Sequence, residues 1–527
     1  MTDTAPALDP ITVEVIGAAL SSIVEETGEA LVRASYSTNV KERRDCSTAL
    51  FDRAGRTLCQ AEHIPVHLGS FLDFIPMVLS LHDAAGIRPG DVFVGNDAYQ
   101  GGGPHLPDIV LAEPVFHGGR LVAWTVNLAH HSDFVDRAHA HIYQEGLRIP
   151  PIRLYREGVL QEDVQNLILL NCQVPRERLS DLRAQMAANR VGVQRFQELC
   201  ARYGAETVLA SGQALLDYAE RKMRAGLAAL PDGAWRFEDV FDNLDFDAPI
   251  PLAVTVTISG EDIALAFEAP PQVRAGINMT RTALLATVYY IVKSVVDPTV
   301  LPNAGLARPI TVTAPDRSIL NCAHPAAVNG RVQTCQRVAD LILGALAQAA
   351  PERVSACTNS TCTVAQFSGT RQSGPEAGAY WVYLETIGGG GGARPAADGL
   401  DGIHVHATNT SNLPVEALEV EYPLILERYE LVDGSQGTGR QRGGMGLRRV
   451  YRATEDCLVR VDISRNLSRS WGLAGGGEGG HGSYATGPGT APFDRGQGAL
   501  RRGEWLEVVT PGGGGYGHPE ERRVAAE

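Results

Sequence analysis

The chain has 527 residues, of which 44% are hydrophobic and 20% charged, with a formal net charge of −15. That length exceeds what one simple core organises, so two or three domains are expected, and the composition excludes a wholly disordered chain. The acidic balance excludes the basic surface by which nucleic acid is bound.

Asp9 and Pro10 form a helix start, a capping carboxylate followed by proline at the first helical position. Val13, Ile16, Leu20, Ile23 and Val24 then recur at helical spacing, to about Leu31. Cys46 to Phe51 and Arg56 to Cys59 predict a hairpin around Asp52-Arg53-Ala54-Gly55. Residues 67–84 carry a second helical pattern, and Val92-Phe93-Val94 is a short strand ending in Gly95-Asn96-Asp97. A loop rich in glycine and proline, Ala98 to Asp108, precedes strands at Ile109 to Leu111 and Leu121 to Leu128. The second strand leads into Ala129-His130-His131-Ser132-Asp133.

Residues 160–230 read as mostly helical, and Pro231-Asp232-Gly233 is a turn and a candidate boundary. Leu252 to Ile258 alternates as a strand. The apolar run Thr282 to Val292 is shorter than the ~20 residues of a membrane helix and predicts a buried helix, so no membrane partner is expected. The second half is richer in strands, with glycine clusters at Gly388 to Gly392, Gly475 to Gly480 and Gly512 to Gly517. The fold class expected is a multidomain, mixed α/β protein. Residues 1–233 form an α/β region with a helical segment, and residues 234–527 form a β-rich region.

Nine cysteines are scattered without a C-x-x-C pair, and MTDTAPALDP lacks the features of a signal peptide. The cysteines read as reduced thiols of a cytoplasmic protein. The glycine clusters do not fit a phosphate-binding loop, so no nucleotide motif is visible. There is no G-x-S-x-G elbow.

The constellation that carries chemistry is His105-Leu106-Pro107-Asp108 followed by His130. Imidazole and carboxylate together make a mixed nitrogen and oxygen site suited to zinc, manganese or iron. The strand leaving the His105–Asp108 loop and the strand returning beside it deliver His130 to the same end. Three protein ligands leave positions open for water. A hydrogen-bonded structural pair is the competing reading. Glu62-His63-Ile64-Pro65-Val66-His67 is not a metalloprotease helix, because Pro65 interrupts it and the H-E-x-x-H pattern is absent. These histidines are expected to be structural or to line a pocket. Lys41 to Ser47, KERRDCS, reads either as a solvated turn or as a segment that turns Asp45 into the site beside arginines that hold an anion.

At these residues the sequence resembles the hydantoinase B/oxoprolinase family. The matching segments include KERRDCS (41–47), AEHIPVHLG (61–69), GNDAYQGGGPHLPD (95–108), DLRAQMAANRVG (181–192), TNTSNLPVEALE (408–419) and TPGGGGYG (510–517). The resemblance implies a B-type subunit of an ATP-dependent enzyme acting on hydantoins, lactams or oxoproline, with ketone carboxylase subunits as the alternative. It implies a hetero-oligomer in which an actin-like A-type ATPase subunit uses the ATP. It also implies a divalent metal held by His105, Asp108 and His130, with Asp45 as a further ligand. Cys46 stands where the family often has phenylalanine.

On that resemblance, the partner phosphorylates the carbonyl oxygen of a cyclic amide, and water activated at the metal attacks the former carbonyl carbon. His131 or Asp133 is the candidate general base, since both closely follow His130. Arg43 or Arg44 is the candidate phosphate-binding residue.

Overall fold

The computed structural model describes residues 8–61, 63–67, 72–132 and 139–522. Helix α1 (Pro10–Ala34) starts as the sequence dictates: the Asp9 carboxylate accepts from the backbone N–H groups of Ile11 and Thr12, ahead of Pro10 in the first turn. After α2 (Thr38–Lys41), strands β1 (Cys46–Asp52) and β2 (Thr57–Gln60) form the expected hairpin. Helix α3 (Phe74–Leu81) lies within the helical pattern of 67–84, of which residues 68–71 are outside the described residues. It ends at His82, and the Asp83 carboxylate then caps a separate turn at Ala84–Gly86.

Strands β3 (Val92–Gly95), β4 (Asp108–His117), β5 (Arg120–His130), β6 (Ile152–Arg156) and β7 (Val159–Leu160) complete a seven-stranded sheet in the order β2-β1-β5-β4-β3-β6-β7. Strand β4 runs well beyond Leu111, through Pro114. Strand β3 pairs only with Val110 to Ala112, so Pro114 lies where one side of β4 has no strand and a missing N–H is tolerated.

The helical segment comprises α4 (Glu162–Leu170), α5 (Pro175–Tyr203) and α6 (Ala205–Ala228). Helix α5 lies on β4 and β5 and packs against α1. Its polar residues recur every fourth position and fasten it. Asp181 accepts from the N–H groups of Tyr36 and Ser37, Gln185 Nε2 donates to Ile109 O, and Asn189 Nδ2 donates to Leu111 O. The buried Asn127 of β5 donates to Gln185 O and Asn189 Oδ1. At Gly192 a Cβ would stand 2.5 Å from Thr125 Cγ2, so the helix meets the sheet too closely there for a side chain. The segment 181–192 is thus a helix-to-sheet fastening in which each buried polar group finds a partner.

Strand β8 (Gly233–Phe241) begins a second sheet with β9 (Ile250–Ser259) and β10 (Asp262–Glu268); after helix α7 (Arg281–Val296), β11 (Ile310–Thr313) joins it in parallel with β10. Helix α8 (Arg331–Leu346) packs on β8, β9 and α7 and is buried along its whole length. Met223 and Leu227 of α6 enter this core beside Val254, Leu284 and Leu341. The helix that precedes position 233 therefore serves the sheet that follows it.

The remaining strands are β12 (Thr363–Thr370), β13 (Tyr380–Ile387), β14 (Leu424–Leu431), β15 (Leu447–Ala453), β16 (Cys457–Asp462), β17 (Ser483–Thr486), β18 (Gln497–Leu500) and β19 (Trp505–Val509), with helix α9 (Val415–Glu421) between β13 and β14. They form two four-stranded sheets around a core of Phe367, Tyr383, Tyr451 and Val459. The architecture is mixed α and β over several cores. Among the described residues, no helix is long and apolar enough to cross a membrane.

The glycine clusters converge. Gly444 N–H donates to Gly391 O, Gly513 N–H to Gly444 O and Gly437 N–H to Gly513 O, so backbone packs on backbone. A Cβ on Gly513 would lie 2.0 Å from Gly391 O, well inside van der Waals contact.

Candidate metal centre

Register builds the site. Asp108 opens β4, His130 closes β5, and the two are paired directly across the antiparallel ladder. Cys46, the first residue of β1, pairs with Ala129, and His130 N–H donates to Asp45 O. The adjacent central strands β1, β5 and β4 thus deliver Asp45, His130 and Asp108 to one end of the sheet. The loop before β4 folds His105 back over Asp108, so that His105 Nε2 lies 3.2 Å from Asp108 Oδ2.

His105, Asp108 and His130 each offer a ligand atom within 4.8 Å of the others, and all three are buried. The His105 and His130 rings are 5.0 Å apart, centre to centre. His105 Nδ1 faces the Asn329 carbonyl oxygen at 3.0 Å; a carbonyl only accepts, so Nδ1 carries a proton, and Nε2 is the nitrogen turned towards Asp108. Asp108 is 0% exposed, and its Oδ1 has no hydrogen-bond partner among the described residues. Two imidazoles and a carboxylate with an unused oxygen fit a divalent ion.

The surroundings favour an ionised carboxylate. Burial alone would push the Asp108 carboxyl up, but His105, His67 and Arg331 hold it well below the usual range. Arg331 Nη2 donates to Asp108 Oδ2 at 3.1 Å. Burial lowers the His130 imidazole, against the pull of Asp45 and Asp108, and lowers His67 to about 4. His67 Nε2 stands 3.8 Å from Asp108 Oδ2, while its Nδ1 bonds Ser47 Oγ at 2.9 Å.

These groups line one cavity. Asp45, His67, His105, Asp108, His130 and Arg331 supply its charged and imidazole wall. Ile64, Val66, Val332, Val364 and Leu384 supply an apolar wall, and Gln366, Thr386, Thr408 and Thr410 supply polar groups. The cavity draws on both sides of position 233.

The sequence-derived candidates divide. His105, Asp108 and His130 come together, and Asp45 lines the same cavity outside that close group of three. His67 joins them, as a pocket-lining histidine. His63 does not line the cavity; it packs against Gly28, where a Cβ would meet its ring at 2.4 Å.

Arg43 and Arg44 are not presented to the cavity. Arg43 is wholly buried and donates to Asn39 Oδ1, Leu384 O and Thr386 Oγ1, fastening the start of β1 to β13 behind the cavity wall. Arg44 turns outward through a left-handed backbone (φ 56°) and pairs with Glu29 at 2.9 Å on the surface.

His131 follows the last residue of β5 and turns to helix α5, where its Nε2 bonds Gln185 Oε1 at 3.0 Å. Burial, with Arg178 nearby, pushes it down to about 3. It does not line the cavity and is not placed to act as a general base there. Asp133 lies outside the described residues.

Sequence reasoning missed Asn329 and Arg331. They arrive from more than two hundred residues away, and no local spacing signals them.

A family model described as hydantoinase B/oxoprolinase matches residues 9–519. The chain belongs to that family. The hydantoinase B/oxoprolinase chain is 34% identical to the B-type subunit of a putative D-/L-hydantoinase of Pseudomonas sp. (strain NS671), over 98% of its own length and 91% of that protein's. It is 31% identical to the β-subunit of the caprolactamase of Pseudomonas jessenii, over 98% of this chain and 92% of that one. The crystal structure of the ATP-dependent caprolactamase from that bacterium matches it with a TM-score of 0.87, covering 98% of this chain and 93% of that one. An acetone carboxylase structure matches with the same TM-score at 18% identity, covering 98% of this chain and 76% of that one, which shows a shared fold.

Proposed function

We propose that this hydantoinase B/oxoprolinase chain is the metal-dependent subunit of a two-component, ATP-dependent cyclic-amide hydrolase. One observation carries the reading: the buried Asp108, whose Oδ1 has no partner among the described residues, stands with His105 and His130 at the wall of a cavity that also has an apolar side. The names of the related subunits and of the ATP-dependent caprolactamase support a partner that uses ATP.

His105, Asp108 and His130 would hold a zinc, manganese or iron ion, with Asp45 beside them as a further donor. Such an ion supplies Lewis-acid polarisation and lowers the pKa of water. The chain's own residues prepare that site. Asn329 fixes the His105 tautomer, Arg331 and His67 keep Asp108 ionised, and the apolar wall receives ring methylenes while displacing water.

The reaction must balance. The A-type ATPase partner transfers a phosphoryl group from ATP to the carbonyl oxygen of the cyclic amide, giving an imidoyl phosphate. Water adds across the C=N bond, the C–N bond breaks as nitrogen takes a proton, and an acyl phosphate remains. A second water releases carboxylate and inorganic phosphate. One amide, one ATP and two waters become one amino acid, one ADP and one phosphate.

The test is elemental analysis of the purified chain beside His105→Ala, followed by lactam or hydantoin hydrolysis in the partner complex. About one metal ion per chain, lost with His105 together with ATP-dependent turnover, is the expected result. A wild-type chain that takes up none of the three metals on reconstitution would overturn the reading. Turnover that requires bicarbonate would transfer the chain to the carboxylases.

A further inference from the structure

The cavity wall holds a cation, Arg331, that is not one of the candidate metal ligands. Helix α8 begins at Arg331, and Gly330, Arg331, Val332 and Gln333 all line the cavity, so the N-terminal end of a sixteen-residue helix faces the same space as His105, Asp108 and His130. No side chain caps that end, and no acidic residue occupies its first turn. Arg331 is 3% exposed, its Nη2 donates to Asp108, and its Nε has no partner among the described residues. It is the single arginine or lysine among the described residues lining the cavity. A guanidinium has five donors in one plane, and burying it with donors unmatched is costly unless an acceptor arrives.

We propose that Arg331 binds the phosphoryl group of the activated amide, making the start of α8 the oxyanion subsite of this cavity. The proposal rests on the hydrolase reading above and names the group that the cavity must retain. The phosphoryl group stays on the oxygen of the reacting carbon while the ring opens, and it departs only with the second water. An arginine that grips it keeps the reactive acyl phosphate in place until then.

Charge and hydrogen bonding support this assignment. The backbone N–H groups of Arg331 and Gln333 already donate to Val328 O and Gly330 O. The helix therefore adds the positive end of its dipole, and the direct donors come from the guanidinium fork. Of the three carboxylates lining the cavity, Asp462 is paired with Arg460 at 2.9 Å, while Asp45 and Asp108 flank the candidate ion. Gln333 lines the same cavity, and its buried Oε1, without a partner among the described residues, offers an acceptor for the nitrogen that gains a proton as the C–N bond breaks.

The probe is inorganic phosphate, titrated calorimetrically into the metal-loaded full chain and used as a product inhibitor of the partner complex. Wild type is compared with Arg331→Gln and Arg331→Lys, with metal content measured in each. The glutamine variant is expected to lose at least ~10-fold in phosphate affinity while keeping its metal. The lysine variant should fall between, since it keeps the charge and loses the fork. Unchanged phosphate affinity in Arg331→Gln overturns the proposal, as does a wild-type chain that binds no phosphate at millimolar concentration. Metal lost in parallel with phosphate in both variants also overturns it, leaving Arg331 only a support for Asp108. Failure of the hydrolase reading is recognised separately, in the wild type, by absent metal or absent ATP-dependent turnover.

Discussion

Asp108 and Asp340 share a residue type and a setting, yet their hydrogen bonding differs. Each is fully buried, and each has an imidazole nitrogen close by, His105 Nε2 at 3.2 Å and His406 Nε2 at 3.0 Å. Asp340 is finished. One oxygen accepts from His406 and from Thr358 N–H, the other from Thr358 Oγ1, and no cavity adjoins it among those described. Asp108 leaves one oxygen without a partner among the described residues and lines a cavity. A buried aspartate–histidine pair is therefore no sign of a site in itself. The unsatisfied oxygen beside a cavity is what sets Asp108 apart and what the proposed ion would satisfy.

Substitution should pull the two apart. Asp108→Asn is expected to lower ATP-dependent turnover by more than ~100-fold, since even outer partners of metal ligands are worth 10–100-fold, and to empty the metal from a chain that still folds. Normal metal content and turnover in that variant would place Asp108 with Asp340 as a structural group. Asp340→Ala should do the reverse. Breaking that buried pair is expected to cost about 3–5 kcal/mol of stability, read as a large drop in thermal midpoint, while metal bound per folded chain stays at the wild-type level.

A third buried carboxylate sharpens the contrast. Glu113 on β4 has an unpartnered oxygen and does not line the cavity, and burial pushes it up to about 7 despite the opposing charge of Arg190. Its unfolded form ionises near the usual glutamate value, so its contribution to folding is fully present in acid and is lost as pH rises towards 7. Glu113→Gln should match wild type near pH 4 and exceed it at pH 8 by up to about 3 kcal/mol. Denaturation at both pH values measures this, and a gap that stays constant would contradict it. The smallest effect belongs to Arg44→Gln. Its exposed pair with Glu29 should be worth less than ~1 kcal/mol, and phosphate inhibition of the complex should not change.

The first layer of the site was legible in the sequence because local geometry writes it. A proline-stiffened loop and two consecutive antiparallel strands, whose register shifts once at Val115/Phe116, place His105, Asp108 and His130 together from within twenty-six residues. Asp45 follows because β1 pairs with β5. His131 was misjudged for a reason equally local, since it follows the last residue of β5 and turns to α5.

The second layer was not legible. Arg331 and Asn329 come from a distant helix start, and the helical spacing of Val332, Cys335, Val338, Ala339 and Ile342 in α8 does not say that Arg331 faces a cavity built by β1, β4 and β5. The arginines of KERRDCS proved to be a staple and a surface turn, a distinction that depends on what lies across from them in β13 and α1. For the fold, strong periodicity gave α1 and the helices of 160–230. The length of β4 was hidden by Pro114, whose tolerance depends on how short β3 is.

The meshed glycines have a consequence for how the chain is made. Their hydrogen bonds join backbone near residues 391, 437, 444 and 477 to the segment 512–517. A ribosome delivers the earlier segments first, and they cannot bond to glycines that have not yet been synthesised. During that interval the segments expose unpaired N–H and C=O groups with no side chains to shield them. The closing step of folding thus waits for the last of the glycines. A nascent chain stalled shortly before residue 512 should be markedly more open to proteases and to association with other chains than one stalled after 517.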